Sequence, residues 1–107
     1  IILVSLCTTD GFPISCFSVS ELSNQADKFA AMSSTLSSLS DSSAKQMKQG
    51  QCNIAIVEAT SGNILFVKTD YIGKPCVLTV VAHNKMALAE ARYKTKKLIG
   101  EISAIKE

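Results

Sequence analysis

Residues 53–83 read NIAIVEATSGNILFVKTDYIGKPCVLTVVAH, and the fold follows from this stretch. It holds three apolar, β-rich runs, Asn53 to Thr60, Asn63 to Thr69 and Cys76 to His83, separated by Ser61-Gly62 and by Tyr71 to Pro75. Runs of β-branched residues bounded by turn formers read as strands, and Ser61-Gly62 between two of them predicts a tight hairpin. The three runs are expected to be consecutive antiparallel strands. Both of their faces are apolar: Ile54 and Ile56 oppose Ala55, Val57 and Ala59, and Leu65 and Val67 oppose Ile64 and Phe66. An antiparallel sheet with one wet face would alternate apolar with polar, so this sheet needs cover on both sides.

Two helices supply that cover. After the polar connector Ser20 to Asn24, in which Ser23 or Asn24 can cap, Phe29, Met32, Leu36, Leu39, Ser43 and Met47 recur at steps of three and four. This spacing predicts a long helix with one buried stripe, with Asp27 in its first turn and Gly50 as its stop. The remaining faces are small and uncharged: Ala30, Ala31, Ser33, Ser34, Ser37, Ser38, Ser40 and Ser42. Such a surface lets another backbone come close, which points to a second helix across a subunit boundary. At the other end, Leu88, Ala91, Thr95, Leu98, Ile102 and Ile105 predict an amphipathic surface helix with Asn84 as its cap. Upstream, Ile2 to Thr8 and Ile14 to Val19 flank Asp10, Gly11 and Pro13 and read as a first hairpin. The predicted order is ββαβββα, an α+β fold with a five-stranded antiparallel sheet and helices on both faces.

The chain of 107 residues has room for one domain, 1–107, burying roughly two-thirds of its unfolded surface. Eleven basic and nine acidic residues leave a net charge of +2, far from the dense positive field of a nucleic-acid binder. The longest apolar runs fall well short of the roughly 20 residues that span a bilayer, so no membrane insertion is expected. Cys7, Cys16, Cys52 and Cys76 sit in apolar runs without a C-x-x-C pair and read as buried thiols of a reducing, cytoplasmic compartment. Cys7 and Cys16 flank the first turn, and a four-residue loop would set them opposite each other in a register that permits a disulfide. The chain starts directly in a strand pattern at Ile1, as a fragment lacking an upstream segment would.

Thr9-Asp10-Gly11-Phe12-Pro13-Ile14, Phe29-Ala30-Ala31-Met32, Ile56-Val57-Glu58-Ala59 and Leu78-Thr79-Val80-Val81 follow one another in this order across the chain. In these motifs, essentially over its whole length, the chain resembles the Roadblock/dynein light chain family, which includes bacterial regulators of Ras-like small GTPases. Leu88-Ala89 departs from the Leu-Gly that many members carry. The resemblance implies a profilin-like fold with an additional helix before the first strand; this sequence starts without it, so that either part of one sheet face is expected to be exposed or the natural chain is short at that end. It also implies homodimerisation through the third strand and the long helix, joining two sheets into one. Cys52, Ile54, Ile56 and Glu58 on the strand and Ala30, Ser33, Ser34 and Ser37 on the helix would form the seam. The residues support this independently, because Gln51 to Ala59 would be an edge strand without Pro or Lys to block a partner.

No catalytic set emerges. His83 is the one histidine, at a strand end, with no Asp, Cys or Glu at ligand spacing, so a structural role is expected and no metal. Serines are abundant but none sits in a G-x-S-x-G elbow. Gly62 and Gly73 are isolated turn glycines outside any phosphate-binding loop, so no nucleotide or other cofactor is expected. Glu58 near a strand end reads as solvent-facing or ion-paired, and Arg92, Lys94, Lys96 and Lys97 as a solvated helix face. The function expected is a non-catalytic homodimeric adaptor that binds or regulates a small Ras-like GTPase. A small-molecule sensor of profilin-like fold, which needs a sizeable pocket, and a structural self-association module are the alternatives.

Overall fold

A computed structural model describes residues 1–19 and 25–105. Seven elements follow in chain order: β1 (Leu3–Thr8), β2 (Pro13–Ser18), α1 (Ala26–Gln46), β3 (Ile54–Ala59), β4 (Gly62–Tyr71), β5 (Lys74–His83) and α2 (Leu88–Ser103). The strands form one antiparallel sheet in the order β2-β1-β5-β4-β3, so β2 and β3 are its edges. The order ββαβββα and the cover on both faces are as expected.

The two apolar faces build two cores. On one side Leu6, Leu65, Leu78, Val80 and Ala82 are buried with Ala91 of α2, and Ile54, Ile56, Leu98 and Ile102 pack around them. On the other, Cys7, Phe66 and Val77 are buried with Ala30 of α1. β5, in the middle of the sheet, contributes fully buried side chains to both, which is why Cys76 to Ala82 reads as an apolar run broken only by Thr79. α2 packs on β4 and β5, and Phe17 of β2 is left 68% exposed.

Several local expectations need correction. The β3–β4 turn is Thr60-Ser61, and Gly62 is the first residue of β4, paired with Ala59 and His83. Glycine is needed there because a Cβ would lie 2.2 Å from the Ala82 carbonyl oxygen. α1 ends at Gln46, before Gly50, after which Lys48 and Gly50 adopt positive φ. Ser23 and Asn24 lie outside the described residues. The residue capping α2 is Ala87, without a side-chain bond, while Asn84 instead donates from Nδ2 to the Thr60 carbonyl at 3.3 Å and ties two turns together. Ile105 lies past the end of α2 and is 47% exposed.

The β1–β2 register aligns Cys7 with Pro13 and Cys16 with Ser5, so the two cysteines do not face each other, and all four are free. Burial, with Cys76 nearby, pushes the Cys7 thiol up to about 11, and burial raises Cys76 as well. Both stay protonated and unreactive at neutral pH.

The β4–β5 turn is built from Ile72 (φ 51°) and Gly73 (φ 75°), two left-handed residues that match the twist of the flanking strands. A β-branched residue is strained in that conformation. Ile72→Asn, which restores the preferred Asn-Gly pair, should stabilise the protein by about 1 kcal/mol. A higher denaturant midpoint checks this; an unchanged or lower one would mean that the Ile72 side chain contributes packing that offsets its backbone strain.

Candidate interaction surface

The surface is assembled at the β3 edge. A two-residue turn makes Ala59 and Gly62 a hydrogen-bonded pair, so by alternation Ala59, Val57 and Ala55 bond to β4. The backbone groups of Ile54, Ile56 and Glu58 then point away from the sheet. Cys52 lies at the entry, with its Sγ 3.5 Å from the Ile54 carbonyl oxygen. Ile54 and Ile56 are half-buried over the core beneath α2, and Glu58 is exposed.

The helix is rotated relative to the sequence expectation. Ala30, Ser33 and Ser37 are buried against the chain's own sheet, with exposures of 0%, 2% and 6%, so their side chains are not available to a partner. Their small size lets α1 sit close to the strands, and the Ser33 hydroxyl is satisfied without water. Thr79 Oγ1 donates to Ser33 Oγ at 2.6 Å, and half-buried Ser34 donates to the Thr9 carbonyl. What faces outward is the stripe expected to be buried: Met32 is 50% exposed, Leu39 61% and Met47 75%, with Ser43 also exposed. Phe29 and Leu36 are half-buried at its border. An apolar crevice of about 230 Å³ between α1 and the sheet is lined by Phe29, Met32, Leu36, Val57, Ile64 and Phe66, among others. Met32 and Leu36 thus stand beside Val57 of the edge strand, and the helix stripe and the strand edge form one apolar band.

Asp41, which carried no signal in the sequence, ties α1 to the entry of β3 and to β4. Its carboxylate accepts from the Cys52 backbone N–H at 3.0 Å and pairs with Lys45 and Lys68 at 3.0 and 3.1 Å. The bond from Cys52 first, and then the two lysines, hold its carboxyl well below the usual carboxylate range. Folding therefore favours the ionised form. The stabilisation is fully present above about pH 4, the unfolded value, and is lost as pH falls through the lower folded value. Asp41→Asn should weaken the fold at neutral pH and flatten its loss of stability in acid. Denaturation curves at neutral and acid pH check this, and a parallel drop in both proteins would show that Asp41 is not the group being titrated.

The remaining candidates carry no reaction centre. Exposed His83 accepts through Nδ1 from the Lys85 backbone N–H at 3.2 Å, a turn contact. Among the described residues no three of His, Cys, Asp and Glu gather where they could hold a metal ion. Arg92, Lys94, Lys96 and Lys97 are exposed on α2, and Lys94 lies 3.9 Å from Glu90. No described helix is long and apolar enough to cross a membrane.

No family model matches the chain, and no curated protein matches it. Solved structures do. Myxococcus xanthus MglB superposes with a TM-score of 0.80 at 19% identity, over 94% of this chain and 79% of that one. A Roadblock/LC7 domain from Streptomyces avermitilis gives 0.78 at 24% identity, over 94% and 80%. The gliding protein MglB from Thermus thermophilus gives 0.77 at 12% identity, over 95% and 75%. With the same sheet, the same order of elements and nearly the whole chain superposed, this protein has the Roadblock/LC7 fold.

Proposed function

We propose that the chain is a non-catalytic regulatory module that pairs with a second copy of itself and, as a pair, binds a small Ras-like GTPase in the cytoplasm. The observation that carries the pairing is the β3 edge, whose outward backbone groups run beside an apolar band of Met32, Leu36, Leu39 and Val57. Joining two such edges about a two-fold axis completes the backbone hydrogen bonds and covers both bands at once. Cys52, Ile54, Ile56 and Glu58 line this seam, while from the helix Met32 and Leu39 take the place expected of Ala30, Ser33 and Ser37.

The GTPase partner rests on likeness of fold and motif to bacterial regulators, and so on analogy. The single arginine, Arg92, lies on α2, on the opposite side of the sheet from α1. Any stimulation of hydrolysis from the α1 side would therefore come from ordering the GTPase's own residues, without an arginine finger from this chain. The apolar crevice, at about 230 Å³, is below the usual size of a ligand pocket, and the roomier hollows beside Asp41 and Lys68 and beside Met32 and Thr35, about 410 and 420 Å³, are more open to solvent. The test is binding of the purified protein to each small Ras-like GTPase of its own source, loaded with GDP or with a non-hydrolysable GTP analogue. Retention of one of them in one nucleotide state is expected; no retention in either state of any would leave only self-association.

A further inference from the structure

Among the described residues, the excess positive charge is gathered on α2 and the turn before it. Lys85, Arg92, Lys94, Lys96 and Lys97 are exposed there against the two acids Glu90 and Glu101, whereas elsewhere five lysines meet five acids. Ala91 and Thr95 are buried, and Leu98 and Ile102 pack on the core, so the crest of the helix, facing away from the sheet, is formed by Ala89, Tyr93 and Gly100. Tyr93 at its centre is 68% exposed. Lys96 and Lys97 flank it one turn further on, and the ridge holds one ion pair, Lys94 to Glu90 at 3.9 Å. We propose that this ridge seats the protein on an anionic lipid bilayer, with Tyr93 at the level of the headgroups and the cations on lipid phosphates.

The tyrosine and the charges together select this occupant. A tyrosine has an apolar ring and a polar tip, which suits the boundary between headgroups and acyl chains, and lysine and arginine stems beside it reach outward to phosphate. The apolar side of α2 is already spent on the sheet, so the helix goes no deeper and the attachment is peripheral. A second copy is a poor occupant, because two such ridges would set cation against cation. An acidic protein is recognised through a shaped recess, and the hollows described above lie at α1 and the sheet, away from this convex ridge. The ridge belongs to one chain and does not depend on pairing. A pair joined about β3 carries both α2 helices on the same face of its sheet and so doubles it.

Co-sedimentation with vesicles tests this, using phosphatidylcholine alone and an equal mixture of phosphatidylcholine and phosphatidylglycerol. Binding to the mixed vesicles is expected at low salt, falling steeply as salt rises, with far less on phosphatidylcholine. Lys96→Glu/Lys97→Glu should weaken it by roughly 30-fold or more, since each cation at an anionic surface contributes about fivefold. Tyr93→Ala should weaken it at every salt concentration, because the share of the ring is not screened. All three side chains are exposed, so the melting curves should match wild type. No binding to the mixed vesicles at low salt, binding that Lys96→Glu/Lys97→Glu leaves unchanged, or retention on immobilised polyglutamate without binding to vesicles overturns the proposal.

Discussion

Glutamate at both Met32 and Leu39 should turn a paired protein into a folded single chain. Both helix residues are at least half exposed in the chain alone, so charge there leaves the folded chain nearly untouched. In a pair formed about the β3 edge, the two helices bring four carboxylates into a dry apolar band, where like charges cost several kcal/mol. Pairing should weaken by roughly 100-fold or more. Sedimentation equilibrium measures this directly, and circular dichroism confirms that the chain is still folded. Unchanged pairing would exclude the exposed stripe of α1 from the seam.

The largest effect on stability is expected at Gly62. This residue sits where three strands meet, paired with Ala59 on one side and His83 on the other. An added Cβ would stand 2.2 Å from the Ala82 carbonyl oxygen and 3.2 Å from its carbon, both backbone atoms that cannot swing aside as a side chain would. Gly62→Ala must therefore part β4 from β5 at the start of their ladder. A loss of about 2 kcal/mol is expected, the middle of the range for overpacked sites, with a fall in melting temperature on the order of 10 °C. A melting temperature within a degree or two of wild type would mean that the strands separate there at little cost.

The strands were legible because their chemistry repeats locally. Apolar residues on both faces of 53–83 required a sheet covered twice, and the core provides that with Leu65 and Leu78 on one side and Phe66 and Val77 on the other. The orientation of α1 was not legible, because hydrophobicity alone ranks Met32 and Leu39 above Ser33 and Ser37. A serine can be buried at small cost when a partner such as Thr79 supplies the hydrogen bond, and that partner is 46 residues away in the chain. Asp41 was hidden for the same reason, since Lys68 and the Cys52 backbone reach it only once the sheet has formed. Gly62 was correctly marked as special for the wrong cause: it answers to a close approach by β5, and the turn itself is made by Thr60 and Ser61. The edge position of Ile54, Ile56 and Glu58 was legible for the same local reason as the strands, and the proposed second copy would meet them there.

Amide hydrogen exchange along β3 addresses that point most directly. In a lone chain the Ile56 and Glu58 amides face solvent and exchange quickly, while those of Val57 and Ala59 are held by β4. If a second copy completes the edge, Ile56 and Glu58 should be as strongly protected as their neighbours and should lose that protection on dilution. Alternating protection along β3 that stays the same at every concentration would contradict the account.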